Sequence, residues 1–397
     1  MNRIRLPRGV IALGFVSLFM DTSSEMVHSL LPIYLVSVLG VSAMSVGIIE
    51  GIAEATASIV KVFSGTISDW IGKRKPLVLL GYGLGALTKP LFPLADGLGL
   101  VLIARFVDRI GKGIRGAPRD ALVADITPIE SRGAAYGLRQ SMDTVGAFAG
   151  PAVALLLMAT SHDNFRLVFW VAVVPAVISV LLIVFGVQEP EVDVTRQRRR
   201  IPIHRDELRR LPASYWLVVA FATALALARF SEAFLLLRAS SAGLSATYVP
   251  LVLIVMNVVY AASAWPFGRL SDRIDRRRLL ALGIVFLIAA DVALAAASSL
   301  WLVGLGTALW GLHMGITQGL LTVLIADAAP ADLRGTAFGV FNLLTGLTLL
   351  GASVLAGALR TLAGPAMTFV AGAGFSLLAL MGLLATSRKR PPPEISS

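Results

Sequence analysis

The chain has 397 residues, 56% of them hydrophobic and only 15% charged, with a mean hydropathy of +0.79. Soluble domains carry about 25% charged residues, so this composition excludes a protein whose main solvent is water. The net charge is +11 and there is no cysteine, which rules out disulfides, thiolate metal sites and cysteine nucleophiles.

A helix needs about 20 apolar residues to cross roughly 30 Å of hydrocarbon. Twelve segments meet this length: 10–38, 44–66, 76–95, 98–118, 133–159, 164–187, 213–238, 246–268, 278–298, 300–325, 335–359 and 364–386. The first follows Arg3, Arg5 and Arg8 without a small-residue cleavage pattern, so it reads as a retained span rather than a signal peptide. The fourth is rich in Arg and Lys in its second half; treating it as a loop would flip every later orientation. The basic residues decide the matter. With twelve spans, 24 of the 35 Lys and Arg residues fall on one side. They include Lys73, Arg74, Lys75, Arg119, Arg132, Arg269, Arg273, Arg276, Arg277, Arg278, Arg334, Arg388, Lys389 and Arg390. The opposite loops hold Arg166 and, at a span edge, Arg360. Such asymmetry predicts that both termini are cytoplasmic.

The chain therefore divides into a first six-helix bundle (1–187), a polar linker (188–212), a second six-helix bundle (213–386) and a tail (387–397). The Arg-rich linker reads as a solvated connection that fixes topology; an element attracted to anionic lipid is the alternative. The tail has the composition of a disordered segment.

The two bundles repeat each other. GTISDWIGKRK at 65–75 matches GRLSDRIDRRR at 268–278, and LVADITPIESRGAAYG at 122–137 matches LIADAAPADLRGTAFG at 324–339. The offsets are 203 and 202 residues. Parallel repeats of this kind place a substrate site near the membrane midplane, between the halves.

On these residues the chain resembles the major facilitator superfamily over essentially its whole length. Gly65, Asp69, Gly72, Lys73 and Arg74 match its signature G-x-x-x-D-x-x-G-[RK]-[RK], with Trp70 at the usual Arg position. The second copy keeps Gly268, Asp272, Arg273 and Arg277, with Asp275 where a glycine is expected. The resemblance implies an all-α membrane protein of twelve transmembrane helices in two pseudo-symmetric bundles. It also implies that these residues, joined by Arg132 and Arg334, latch a cytoplasmic gate. Gly146, Gly150 and Pro151 resemble the family's fifth-span G-x-x-x-G-P signature, which implies export; the Gly-Gly that often follows is replaced by Ala154 and Leu155. Arg105 stands at the family's fourth-span arginine. FMDTSSEMVHSLLPIYL and RFVDRIGKGIRGAPRDALVAD look like a mostly uncharacterised bacterial subgroup, which implies a place in the bacterial inner membrane.

A lone charge at a helix centre costs roughly 2.5–3.5 kcal/mol, so charges inside spans are paired, face a cavity or carry function. The first half holds acids at Asp21, Glu25, Glu50, Glu54, Asp108 and Asp143. Its bases are Lys61, Lys89, Arg105, Arg109, Lys112, Arg115 and Arg139. The second half holds Arg229, Glu232, Arg238 and Asp291, with Asn257 at the position of Glu54. Ionic chemistry is thus expected mostly in the first half, as a paired network around water.

Within it, Glu25 or Asp21, then Glu54 and Glu50, are candidate proton-coupling carboxylates, and His28 is a candidate relay. Arg105, Arg109, Lys112, Arg139, Asp143 and Asn257 are candidate substrate contacts, with Arg suited to a carboxylate or phosphate. For each acid the competing reading is that it only neutralises an arginine. Asp21, Glu25, His28, Glu50 and Glu54 also make an oxygen and imidazole set of the kind that binds a divalent metal, although the surrounding bases oppose a cation and no resident metal or cofactor is expected. The expected protein is a monomeric secondary transporter that meets protons, membrane lipids and a small anionic or amphiphilic substrate, and no nucleic acid. Proton-coupled efflux by alternating access leads; uptake of an organic anion or efflux of a divalent metal are the alternatives. A membrane enzyme or sensor is the remaining class, and no HExxH motif or nucleophile arrangement supports it.

Overall fold

The computed structural model describes residues 6–128, 131–189, 205–271, 273–330 and 333–387, without the side chains of 69, 205, 206, 386 and 387. The first half contains α1 (Arg8–His28), α2 (Leu31–Ile33), α3 (Ala43–Ile71), α4 (Lys75–Thr88), α5 (Leu98–Asp125), α6 (Arg132–Ser161) and α7 (Phe165–Gly186). Within the linker lies α8 (Arg205–Arg210). The second half contains α9 (Ala213–Ala228), α10 (Ala233–Ser241), α11 (Pro250–Leu270), α12 (Arg276–Ala295), α13 (Leu300–Ala328), α14 (Arg334–Ala363) and α15 (Met367–Ser387). The helix ends follow local chemistry. Ser42 accepts from the Ser45 amide at 3.2 Å, and Asn164 from the Leu167 amide at 3.0 Å, each supplying an acceptor to an otherwise unpaired first-turn donor.

Nine helical segments among the described residues are long and apolar enough to cross a membrane. The other three expected spans are α3, α4 with its 3-10 turn Lys89–Leu91, and α5; the α4 helix is short, at 14 residues, and α5 carries a dense run of charges.

Two spans are broken at equivalent places. The first span stops at His28 and restarts at Leu31, running on through a π-helical turn, Tyr34–Val38. The seventh stops at Ala228 and restarts at Ala233. Ser231 holds the second break: its hydroxyl accepts from the Ala233 amide at 3.3 Å, while its own amide donates to Ser353 Oγ at 3.2 Å. The repeat also reappears as contacts. Arg74 pairs with Asp125 at 3.2 Å, and Arg276 pairs with Asp327, the same pair 202 residues on.

The apolar core shows how the halves meet. At the end away from the basic loops they share one core, in which Met26, Leu30, Leu31 and Tyr34 join Phe234, Leu235 and Leu237. At the basic end the cores are separate. One is built on Val10, Leu13, Val78 and Tyr82, and the other on Tyr215, Val219, Ile325 and Leu333. The shared seam is close. A Cβ on Gly51 would stand 2.9 Å from Leu350, so only glycine lets α3 and α14 approach there. The Met44 amide donates to Thr361 Oγ1 at 3.1 Å, Thr247 donates to Asp163, and Asn257 Nδ2 donates to the Ala147 carbonyl at 3.2 Å. Among the described residues, no hydrogen bond or ion pair joins the halves at the basic end. The molecule is closed at one end and open at the basic one.

Candidate functional site: a charged cavity between the halves

A cavity of about 520 Å³ lies between the halves, lined by Glu25, His28, Glu54, Arg109 and Lys112 from the first and Arg229, Glu232, Asn257, Trp310 and Gln318 from the second. It continues toward the basic end as a second space of about 380 Å³, lined by Asp21, Lys61, Lys112, Arg115, Arg119 and Asp143. Glu25, Glu54, Ser58, Lys112, Ala147 and Asn257 border both, so the two spaces form one path.

The in-span charges sort into two groups. The first is consumed in ion pairs. Arg105 Nη2 meets Glu50 Oε2 at 2.6 Å, with Arg105 3% and Glu50 1% exposed. Lys89 Nζ meets Asp108 Oδ1 at 2.9 Å and also donates to Ser24 Oγ at 3.2 Å. Arg109 Nη1 meets Glu54 Oε1 at 3.1 Å, and Arg139 Nη1 meets Asp143 Oδ2 at 2.7 Å, one helical turn apart on α6. Paired and hydrogen-bonded charges are the form in which a low-dielectric interior tolerates ions. Glu50 and Arg105 are buried behind α3 and line neither part of the path. Of the substrate candidates, Arg109, Lys112 and Asn257 reach the central cavity, Asp143 the second space, and Arg139 neither.

The second group faces the path without a salt bridge. Among the described residues, Asp21, Lys61, Lys112, Arg229 and Glu232 form no ion pair, and Glu25 has only His28, at 4.0 Å. Arg115 lies over the Tyr82 ring at 4.6 Å, a cation–π contact in place of a carboxylate. Arg119, which also lines the path, is by contrast paired: it meets Asp120 at 3.2 Å and Asp143 at 3.9 Å, and its Nη1 donates to Ser17 Oγ at 3.1 Å and to Tyr82 Oη at 3.3 Å.

The position of Asp21 and Glu25 depends on α6. A Cβ on Gly146 would lie 2.9 Å from Asp21 Cβ, and one on Gly150 would lie 2.6 Å from Glu25 Cβ. These two glycines, with Pro151, let α6 lie directly against the turn of α1 that carries both carboxylates. No three His, Asp or Glu side chains among the described residues gather as a metal-ligand set, because Glu50 turns to Arg105 and Glu54 to Arg109.

At the basic end, Arg74 donates to Asp125 and, at 2.9 Å, to Ser68 Oγ, and its amide donates to Glu189. Lys75 Nζ donates to the Val187 carbonyl at 2.6 Å. These bonds tie loops within the first half. In the second copy the base that takes Asp327 is Arg276, while Arg334 Nε donates to the Ala326 carbonyl at 3.2 Å. Asp272 and the side chain of Asp69 lie outside the described residues, as do 190–204 of the linker and the 388–397 tail.

The sequence profile described as Major Facilitator Superfamily matches residues 13–347, and a second match covers 219–397. The chain belongs to the Major Facilitator Superfamily. It is accordingly an integral membrane secondary transporter and not an enzyme. The uncharacterised MFS-type transporter MJ1317 of Methanocaldococcus jannaschii is 32% identical over 390 residues, covering 96% of each chain. The multidrug resistance protein MdtH of Proteus mirabilis is 30% identical over 162 residues, covering 41% of this chain and 37% of that one. A bacterial homologue of the lysosomal transporter Spinster, solved in an inward-facing and occupied conformation, has the same fold: the TM-score is 0.77 at 16% identity, covering 96% of each chain.

This MFS transporter also brings into its cavity residues that sequence reasoning had set aside. Arg229 and Glu232 flank the break of the seventh span, and Phe230 and Trp310, with ring centroids 5.2 Å apart, form the wall beside them. The signal was present in ARFSEA, two opposite charges and a serine inside an otherwise apolar span. It sits at the repeat position of His28 and Ser29, where the first span breaks.

Proposed function

We propose that this chain is a proton-coupled exporter of small anionic or amphiphilic molecules, with its basic end in the cytoplasm of a bacterial inner membrane. One observation carries the reading: the path keeps Asp21 and Glu25 clear of arginine partners, while Glu50, Glu54, Asp108 and Asp143 are spent on neighbouring bases. A carboxylate without a fixed counter-charge, in a space open to one side, can change protonation as the cavity changes face. Lys112 supplies the matching cation for an anionic substrate group, and Phe230, Trp310 and Met314 supply apolar surface. The seating of Glu25 by Gly150, in a motif that resembles the export signature, and the similarity to the multidrug resistance protein MdtH both favour outward transport.

In this reading the bundles 1–187 and 213–386 rock about the midplane, linked by 188–212. Gly65, Asp69, Lys73, Arg74, Arg132, Asp272, Arg273, Arg277 and Arg334 latch the basic end once it closes. The structure is then the inward-open state, before that latch forms. The test uses proteoliposomes with an imposed pH gradient. Glu25→Gln, Asp21→Asn and the double variant are expected to lose proton-driven transport and keep substrate exchange between two equal pools. Full proton-driven transport in all three would defeat the assignment.

A further inference from the structure

Two cations of the central cavity have no ion pair among the described residues, and they come from different halves. Lys112 stands on α5 and Arg229 at the break of the seventh span. The third cavity cation, Arg109, is held by Glu54. We propose that Lys112 and Arg229 form a two-sided clamp for the anionic group of the substrate, and that an anion held between them draws the basic ends of the two halves together. The proposal rests on the anionic reading above and adds to it the residue from the second half, the body of the ligand and the step that binding drives.

Lys112 and Arg229 face one cavity of about 520 Å³, which Glu25, Glu54 and Glu232 also line. An anion between the two cations gains a charge-assisted hydrogen bond from each side. The basic end contains no bond between the halves among the described residues, so a bound anion adds a link between them in the central cavity beside the Asn257–Ala147 hydrogen bond. A ligand shifts a two-state equilibrium only through contacts that differ between the states, and a group reached from both sides only when the halves approach is such a contact. Arg229 is suited to this movement because its backbone lies outside the helix, at φ −108° and ψ 72°, where small rotations redirect the side chain. Phe230 follows it directly and meets Trp310, so a ligand whose anion sits on Arg229 rests a planar apolar body on these rings. Glu232 lines the same cavity three residues on and repels an anion. Its presence favours ligands whose charge is compact and reaches Arg229 directly.

The test uses naphthalene-2-sulfonate, a permanent anion on an aromatic body, and naphthalene-2-sulfonamide as its neutral counterpart. Both are titrated into the full chain in lipid nanodiscs. Wild-type protein is expected to bind the sulfonate at least about tenfold more tightly than the sulfonamide. Lys112→Gln and Arg229→Gln are each expected to weaken sulfonate binding about tenfold, Arg229→Lys to retain most of it, and Glu232→Gln to strengthen it. The opposite signs at Arg229 and Glu232 separate the clamp from a general loss of folding. Because the chain has no cysteine, spin labels on Ala134→Cys and Gly335→Cys report the opening at the basic end, and saturating sulfonate is expected to shorten their distance. Wild-type binding to Arg229→Gln, with Lys112→Gln weakened, would overturn the clamp and leave the anionic reading standing. An unchanged spin-label distance at saturation would overturn the closing step. Sulfonate bound no better than sulfonamide by the wild type would overturn both the anionic reading and the clamp.

Discussion

The two halves share a backbone plan and differ in how they handle charge. Both break their first helix near the midplane, and both tie adjacent basic-end loops with an Arg–Asp pair at the same repeat position. The first half then buries Glu50 with Arg105 and Asp108 with Lys89. The second half has no such pair inside its spans among the described residues. Its buried Asp291, 0% exposed, has neither oxygen hydrogen-bonded, and Arg238 is satisfied by the carbonyls of Leu294, Ala295 and Ala297. The difference teaches that the duplicated element is the helical frame, while the buried ion pairs are a specialisation of one copy. The frame needs only apolar packing and small residues at close contacts. A buried charge also needs a partner on a neighbouring helix at the right depth.

The comparison is tested most severely by removing one carboxylate from each half. Asp108→Asn leaves Lys89 buried without its counter-ion and is expected to cost about 3–5 kcal/mol, seen as a clear fall in melting temperature in detergent. Asp291→Asn removes no partner and is expected to change stability by less than about 1 kcal/mol. Equal losses would show that the second half also depends on a buried charge.

A smaller effect separates two glycines. Gly150→Ala forces a methyl group against Glu25 Cβ and the Thr22 carbonyl, with an expected cost of about 1–3 kcal/mol. Proton-driven transport in proteoliposomes should fall further than stability does, because the displaced residue is Glu25. Gly351→Ala, on α14, meets nothing within 4 Å and is expected to be neutral or to stabilise by up to about 1 kcal/mol. Retained coupling in Gly150→Ala would detach the glycine motif from the carboxylates it touches.

The smallest contrast lies in the repeated Arg–Asp pairs. The side chains of Arg74 and Asp125 are 10% and 27% exposed, and those of Arg276 and Asp327 are 34% and 59% exposed. Arg276→Ala is therefore expected to change the melting temperature little, since exposed pairs contribute about 0–1 kcal/mol. Arg74→Ala should cost more, because it also breaks the bond to Ser68. A larger loss from Arg276→Ala would reverse the ranking of the two copies.

Much of the frame was legible in the chain. The predicted span 335–359 lies inside α14 (Arg334–Ala363), and 133–159 inside α6 (Arg132–Ser161), because apolar length and flanking charge are local properties. The predicted fourth span, 98–118, ends a turn or two early, since its basic second half is masked from hydropathy and continues to Asp125. The candidate site was legible as a set of residues and not as pairs. The sequence offers several in-span acids to Arg109, and the structure pairs it with Glu54. Partner choice depends on how α3 and α5 are rotated and at what depth they cross, and no periodicity in one segment carries that information.

The sequence by itself determined a duplicated, twelve-span transporter with its base-rich loops on one side and its buried charges mostly in one half. Those features are written in hydropathy, composition and repeat register, each of which is read along a single strand of chain. Only the tertiary structure decided which charges are spent on one another and which remain to face the cavity. It also decided that Arg229 and Glu232 belong to the same site as Glu25 and Lys112. An ion pair forms between side chains brought within a few ångströms by helix packing, and in a low-dielectric interior that proximity separates a structural charge from a working one.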